Sequence, residues 1–240
     1  MGSSSSSRFD GWVHGTGKVK GQHVSPDRAL DVTLLVQTLE ASMAQPQQTT
    51  SIEPSEYLAL ERASEDRHEY LDGQMFAMSG ASRRHNLITT NLVVSLHTRL
   101  VDRPCEVYSS DMRVKVSTTG LYTYPDVVVT CGEPRFEDDE VDTLLNPTAL
   151  VEVLSPSTAD YDRGQKFEHY RALDSSATVL FVAQDRPSVL RCERRAGDER
   201  QGMDSWVLSE FRDLQGSISM PDLGIELALT EIYSKVLRVE

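Results

Sequence analysis

Long apolar runs are absent: no stretch approaches the roughly 18 residues that a membrane-spanning helix needs, so the sequence predicts no membrane partner. No basic segment leads into an apolar stretch and a small-residue cleavage site at the N-terminus, so no secretory signal is visible. Cysteine is scarce. Cys105, Cys131 and Cys192 stand far apart with no CxxC pair, which argues against a disulfide framework or a zinc site and points to a reducing cytoplasm. Neither GxGxxG nor GxxxxGKS/T occurs, which excludes the two common phosphate-cradling loops. Positive charge is also short: 24 Lys/Arg face 37 Asp/Glu, for a formal net charge of −13. Residues 1–42 hold four of each sign, so the deficit belongs to residues 43–240. Tight non-specific nucleic-acid binding usually leaves a basic footprint. Any such site here must be a local groove, or one where metal ions offset acidic groups.

A hydrophobic share of 39% and a charged share of 25% describe an ordinary globular chain with a real core. Residues 1–42 differ from the rest. Met1-Gly2 and five serines resemble a vector-derived start, and the following stretch is rich in Gly, His and Lys with little periodicity. A disordered or poorly packed leader is expected there, with a short helix over Ala29–Leu39 and Met43 as the native start. Residues 43–240 are expected to form a single domain.

From Ser51 the pattern sharpens. Pro54–Ala63 predicts a helix with proline in its first turn. His68–Leu71 and Gln74–Met78, split by Asp72-Gly73, predict a β-hairpin. Leu87, Ile88, Leu92, Leu96 and Leu100 recur at helical spacing within Ser82–Val101. Strands are predicted at Glu106–Ser109, Met112–Val116, Asp126–Cys131 and Ala149–Leu154, with an acidic loop over Gly132–Pro147. A helix over Asp160–Leu173, strands at Thr178–Ala183, Val189–Arg194 and Trp206–Leu208, and a closing helix over Thr230–Val236 complete the plan. This order predicts an α/β (α+β) fold, a central mixed β-sheet flanked by helices.

Ala149-Leu150-Val151-Glu152-Val153-Leu154 is apolar enough for a buried strand yet carries a central glutamate. A buried carboxylate is costly unless it is paired, hydrogen-bonded or bound to metal. An edge-strand glutamate, or one paired with Lys or Arg, is the ordinary alternative. Pro125-Asp126 supplies a second carboxylate at the start of a β-branched strand, although Pro-Asp is also a common turn pair. Neighbouring strands would bring Asp126 and Glu152 to one sheet end. Two hard oxygen ligands suit Mg²⁺, which keeps several waters and phosphate oxygens; the Val153 carbonyl is a further candidate ligand. Asp162, Lys166 and Tyr170 repeat every four residues on one helix face, and Lys166 is placed either to steer a water or to form a plain Asp162–Lys166 surface pair. Glu69 and Asp111 are accessory candidates that nothing local decides, and His85 after Arg83-Arg84 reads either as a phosphate contact or, more simply, as a solvated helix start. Glu133, Glu137, Asp138, Asp139, Glu140 and Asp142 read as a solvated surface loop.

Arg67-His68-Glu69-Tyr70-Leu71-Asp72-Gly73, Ser110-Asp111-Met112-Arg113-Val114, Tyr124-Pro125-Asp126-Val127, and Asn146-Pro147 leading into Val151-Glu152-Val153-Leu154-Ser155-Pro156-Ser157-Thr158 follow one another in order. Together with Asp162, Lys166 and Tyr170, this series resembles the Uma-type restriction endonuclease family of the PD-(D/E)XK nuclease superfamily, over about Ser51 to Val236. The resemblance implies a restriction-endonuclease-like fold and DNA phosphodiester hydrolysis with Mg²⁺ or Mn²⁺. It assigns the metal to Asp126 and Glu152, with Glu69 as accessory carboxylate. The superfamily's usual lysine lies two residues after the second acid, where this chain has Leu154, and Lys166 is the expected substitute. A homodimer would suit cutting of both strands. The competing expectation is a catalytically silent nuclease-fold module that binds nucleic acid or a protein partner. A hydrolase of another phosphate ester would use the same residues.

Overall fold

The computed structural model describes residues 51–156, 158–195 and 205–237. The leader over 1–42 and the Ala29–Leu39 helix expected within it lie outside these residues. Helix α1 (Pro54–Ala63) leads into the hairpin β1 (His68–Leu71) and β2 (Gln74–Ala77), then the long helix α2 (Arg83–Leu100). Strands β3 (Cys105–Ser109), β4 (Arg113–Val116), β5 (Leu121–Thr123), β6 (Val127–Cys131), β7 (Thr143–Leu144) and β8 (Ala149–Leu154) follow. Next come α3 (Ala159–Tyr161), a π-helical turn over Asp162–Lys166, and α4 (Phe167–Arg171). Strands β9 (Thr178–Ala183), β10 (Val189–Arg195), β11 (Ser205–Phe211), β12 (Ser217–Met220) and β13 (Ile225–Ala228) precede α5 (Leu229–Ile232).

The expected mixed sheet has six strands in the order β11-β10-β9-β8-β6-β3, with β8 and β9 parallel and the other pairs antiparallel. All six residues of β8 are buried because both faces of the sheet are covered. Ala149, Val151 and Val153 pack with Ile88, Leu92, Leu96 and Leu100 of α2 on one face. Leu150 and Leu154 pack with Phe167 and Tyr170 on the other. Strand alternation therefore sends Glu152 toward the α3–α4 side, together with Leu150 and Leu154. A second sheet, β2-β1-β5-β4-β7, carries the hairpin, and among the described residues β12 pairs only with β13. The hairpin turns through Asp72 and Gly73, both at positive φ, as the two-residue turn chemistry requires. A Cβ on Gly73 would also strike Ser51.

Four expectations need correction. Cys105 and Cys131 form a disulfide, being direct partners across antiparallel β3 and β6. A separation of 26 residues hid a pairing that strand register creates. The acidic loop is not merely solvated. Arg62 pairs with Asp138 and Asp142, both at 2.8 Å, Arg113 reaches Asp142 at 2.9 Å, and Lys115 pairs with Glu137. Arg62 holds the Asp142 carboxyl well below the usual carboxylate range, with burial opposing and Arg113 assisting. The loop's end becomes β7, parallel to β4. Finally, the helix expected over Asp160–Leu173 is interrupted by the π turn, and the closing helix ends at Ile232.

Candidate functional site

β6 and β8 place two carboxylates side by side. Their register pairs Val127 with Val151, so one further step sets Asp126 opposite Glu152. β6 has ended there, which frees the Val153 amide to donate to Asp126 Oδ2 at 2.7 Å. A residue's N–H and C=O leave an extended strand on the same edge, so the Val153 carbonyl also faces the Asp126 side. His85 Nε2 lies 3.2 Å from the same Asp126 oxygen. Ser82 positions that histidine: it caps α2 by accepting the His85 amide at 3.1 Å.

Glu152 is 5% exposed. Tyr170 donates its hydroxyl to Glu152 Oε1, and Lys166 Nζ approaches the same oxygen at 3.0 Å. Lys166, itself 4% exposed, also pairs with Glu69 Oε1 at 2.9 Å. Glu69 comes from β1 and is held by Thr123 at the end of β5. Asp162, 6% exposed, faces the same ammonium. Residues four apart overshoot one turn of an α-helix and undershoot the wider π turn, so the two drifts oppose and Asp162, Lys166 and Tyr170 stay aligned.

Burial pushes the Glu152 carboxyl up to about 8, against the pull of Lys166 and with Asp126 and Asp162 adding to the rise. Burial lowers the affinity of Lys166 for its proton, but Glu152, Tyr170, Glu69 and Asp162 outweigh it and hold that lysine well above its ordinary value. Burial likewise raises Asp162, with Lys166 opposing. These residues open onto a cleft of about 800 Å³, lined among the described residues by eight Asp/Glu side chains against three Lys/Arg.

Four of the sequence candidates, Glu69, Asp126, Glu152 and Lys166, thus meet at one cleft, with His85 and Tyr170 in contact with two of them. Asp111 lines the rim, its side chain 77% exposed and 3.5 Å from Arg67. The Asp162–Lys166 surface pair is not what forms, since both side chains are buried. A supporting network had no sequence signal: Glu61 of α1 accepts from the His68 amide at 2.9 Å and from Tyr124 at 2.9 Å, and Tyr124 in turn accepts from Arg113 at 2.8 Å. It fixes the hairpin and the Tyr124-Pro125-Asp126 segment relative to each other.

Among the described residues, no group of three or more His, Cys, Asp or Glu converges as a ready-made metal cage. Mg²⁺ does not require one, because it is commonly held by one or two carboxylates with waters and substrate oxygens completing the shell. Asp126 Oδ1 and Glu152 Oε2 make no hydrogen bond among the described residues, while the other oxygen of each carboxylate is fixed by the protein. That donor set fits such an ion.

A family model described as "Uma2: Putative restriction endonuclease" matches residues 54–230. Two proteins of Synechocystis sp. (strain ATCC 27184 / PCC 6803 / Kazusa) are similar. "Uncharacterized protein sll1609" is 34% identical over 163 residues, covering 68% of this chain and 89% of that protein. "Uncharacterized protein slr1290" is 42% identical over 183 residues, covering 76% and 91%. A solved structure described as "Crystal structure of a putative nuclease belonging to DUF820 from Anabaena variabilis ATCC 29413 at 1.96 A resolution" aligns with a TM-score of 0.57 at 18% identity, covering 76% of this chain and 98% of that one. At that identity the likeness concerns the fold. No helix among the described residues is long and apolar enough to cross a membrane.

Proposed function

Because this chain belongs to the Uma2 family, we propose that it is a metal-dependent endonuclease that hydrolyses phosphodiester bonds in DNA. The observation that carries this reading is the meeting of Glu69, Asp126, Glu152 and Lys166, drawn from four separate segments, at the buried end of one cleft. A site of purely structural carboxylates would have no reason to face open space.

Asp126 and Glu152 would hold Mg²⁺ or Mn²⁺ through Oδ1 and Oε2, with the Val153 carbonyl as a further donor. Bound there, the ion supplies charge neutralisation on the phosphate and makes a coordinated water more acidic. Lys166 orients the attacking water and balances charge that grows on the phosphate oxygens. Glu69 fixes the lysine from the other side and offers its remaining oxygen to a water. His85 and the Val153 amide hold one oxygen of Asp126, and Tyr170 holds one oxygen of Glu152, so that the second oxygen of each carboxylate is aimed by the first.

The test is cleavage of supercoiled plasmid and of single-stranded DNA with Mg²⁺ or Mn²⁺. Cutting that stops on chelation is expected. An eight-to-three excess of acid in the cleft favours one competing reading, the silent module. Wild-type protein that neither cuts DNA nor binds either ion in calorimetry would establish it instead. His85→Gln and Tyr170→Phe are each expected to weaken Mn²⁺ binding or activity by about 10- to 100-fold, the usual cost of losing a ligand's orienting partner. Unchanged Mn²⁺ affinity and activity in both would remove that role.

Three widely spaced cysteines without a CxxC pair read as a reducing cytoplasm. The Cys105–Cys131 disulfide fits an oxidising compartment better. The mass of the unreduced protein, taken directly from cells, separates the two.

A further inference from the structure

One wall of the cleft is the β1–β2 hairpin, and register decides what that wall presents. Glu69 pairs with Phe76, and directly opposed residues of an antiparallel pair lie on one face. The Met78 amide donates to the Arg67 carbonyl one step beyond the His68–Ala77 pair, so Arg67 and Met78 share that face as well. All four residues line the cleft. Phe76, on the edge strand of its sheet, is 49% exposed, and Met78, one residue past that strand, is 39% exposed. Holding a metal or a water gives no use to an open phenyl ring beside Glu69. Arg67 rests over the Tyr124 ring at 5.7 Å, and its buried Nε has no hydrogen-bond partner among the described residues.

Charge narrows what can dock here. With eight carboxylates and three Lys/Arg around the cleft, phosphate neutralisation contributes little to affinity. Stacking on an aromatic ring carries no charge and accepts any base. In a duplex the base faces are covered by their neighbours, so the ring meets one only where a base is unpaired. We propose that Phe76, flanked by Met78 and with Arg67 for the adjoining phosphate, is a stacking platform for an unpaired base next to the scissile bond, which makes single-stranded DNA the preferred substrate. The proposal rests on the nuclease reading.

The experiment measures anisotropy of a short labelled single strand and of the matching blunt duplex with the full chain, Ca²⁺ replacing Mg²⁺ to hold back hydrolysis. Wild type is compared with Phe76→Ala and Phe76→Trp. Because the ring is half exposed, its loss leaves the fold intact. Wild type is expected to prefer the single strand. Phe76→Ala should weaken single-strand binding about tenfold and Phe76→Trp should preserve it, with duplex binding unchanged in both. In Mg²⁺, Phe76→Ala should raise KM for the single strand and spare kcat. Unchanged single-strand affinity in Phe76→Ala, or a wild-type preference for duplex, overturns the platform and leaves the nuclease reading standing. A wild type that binds neither DNA and cuts neither overturns both.

Discussion

Asp126→Asn and Glu152→Gln are each expected to lower metal-dependent DNA cleavage by about 1,000-fold or more while leaving the fold intact, since metal stabilisation of the transition state is worth several kcal/mol. The amides are chosen because they keep the local hydrogen bonds. An asparagine at 126 still accepts from the Val153 amide, and a glutamine at 152 still accepts from Tyr170. Each removes only the negative charge that a divalent ion needs. Lys166 keeps Glu69 at 2.9 Å in either variant, so no buried ammonium is left alone. Calorimetric titration with Mn²⁺ should lose its signal in parallel, and circular dichroism should not change. Cleavage by both variants within about tenfold of wild type would sink the assignment.

The elements best read from the sequence are those whose signals are local. Ala149–Leu154 is uniformly apolar because helices cover both faces of its sheet, and its one carboxylate stands out for that reason. The leucines of α2 and the Asp72-Gly73 turn speak through spacing and backbone preference alone. What stayed hidden depends on distant partners. β5 and β7 have three and two residues, too few for any period to show. His85 looks like an ordinary first-turn residue until Asp126, forty-one positions later, folds against it. Arg113, Tyr124 and Glu61 come from three separate segments, and their bonds have no trace in spacing. Phe76 reads as a routine strand aromatic until register sets it beside Glu69.

Lys166→Met tests the charge balance of the site from the other side. Methionine is close in length and fills the same space, so packing loss is small. Its effect is electrostatic: Glu69 and Glu152 lose the cation between them, and Asp162 loses the positive charge that opposes its rise. Removing one partner of a buried ion pair typically costs about 3–5 kcal/mol, and that loss is expected in urea denaturation of the metal-free variant above pH 8, where Glu152 is ionised. A divalent ion at Asp126 and Glu152 would restore positive charge to the same space. Saturating Mg²⁺ should therefore recover more stability in Lys166→Met than it adds to wild type, because ligand binding to the folded state alone stabilises it by mass action. Cleavage should stay low even then, by about 100-fold or more, since the ion replaces the lysine's charge but not its hydrogen bond to the attacking water. If Lys166→Met were as stable as wild type without metal, the three carboxylates could not all be charged around the lysine. If Mg²⁺ gave both proteins the same increment, the ion would not be binding beside it.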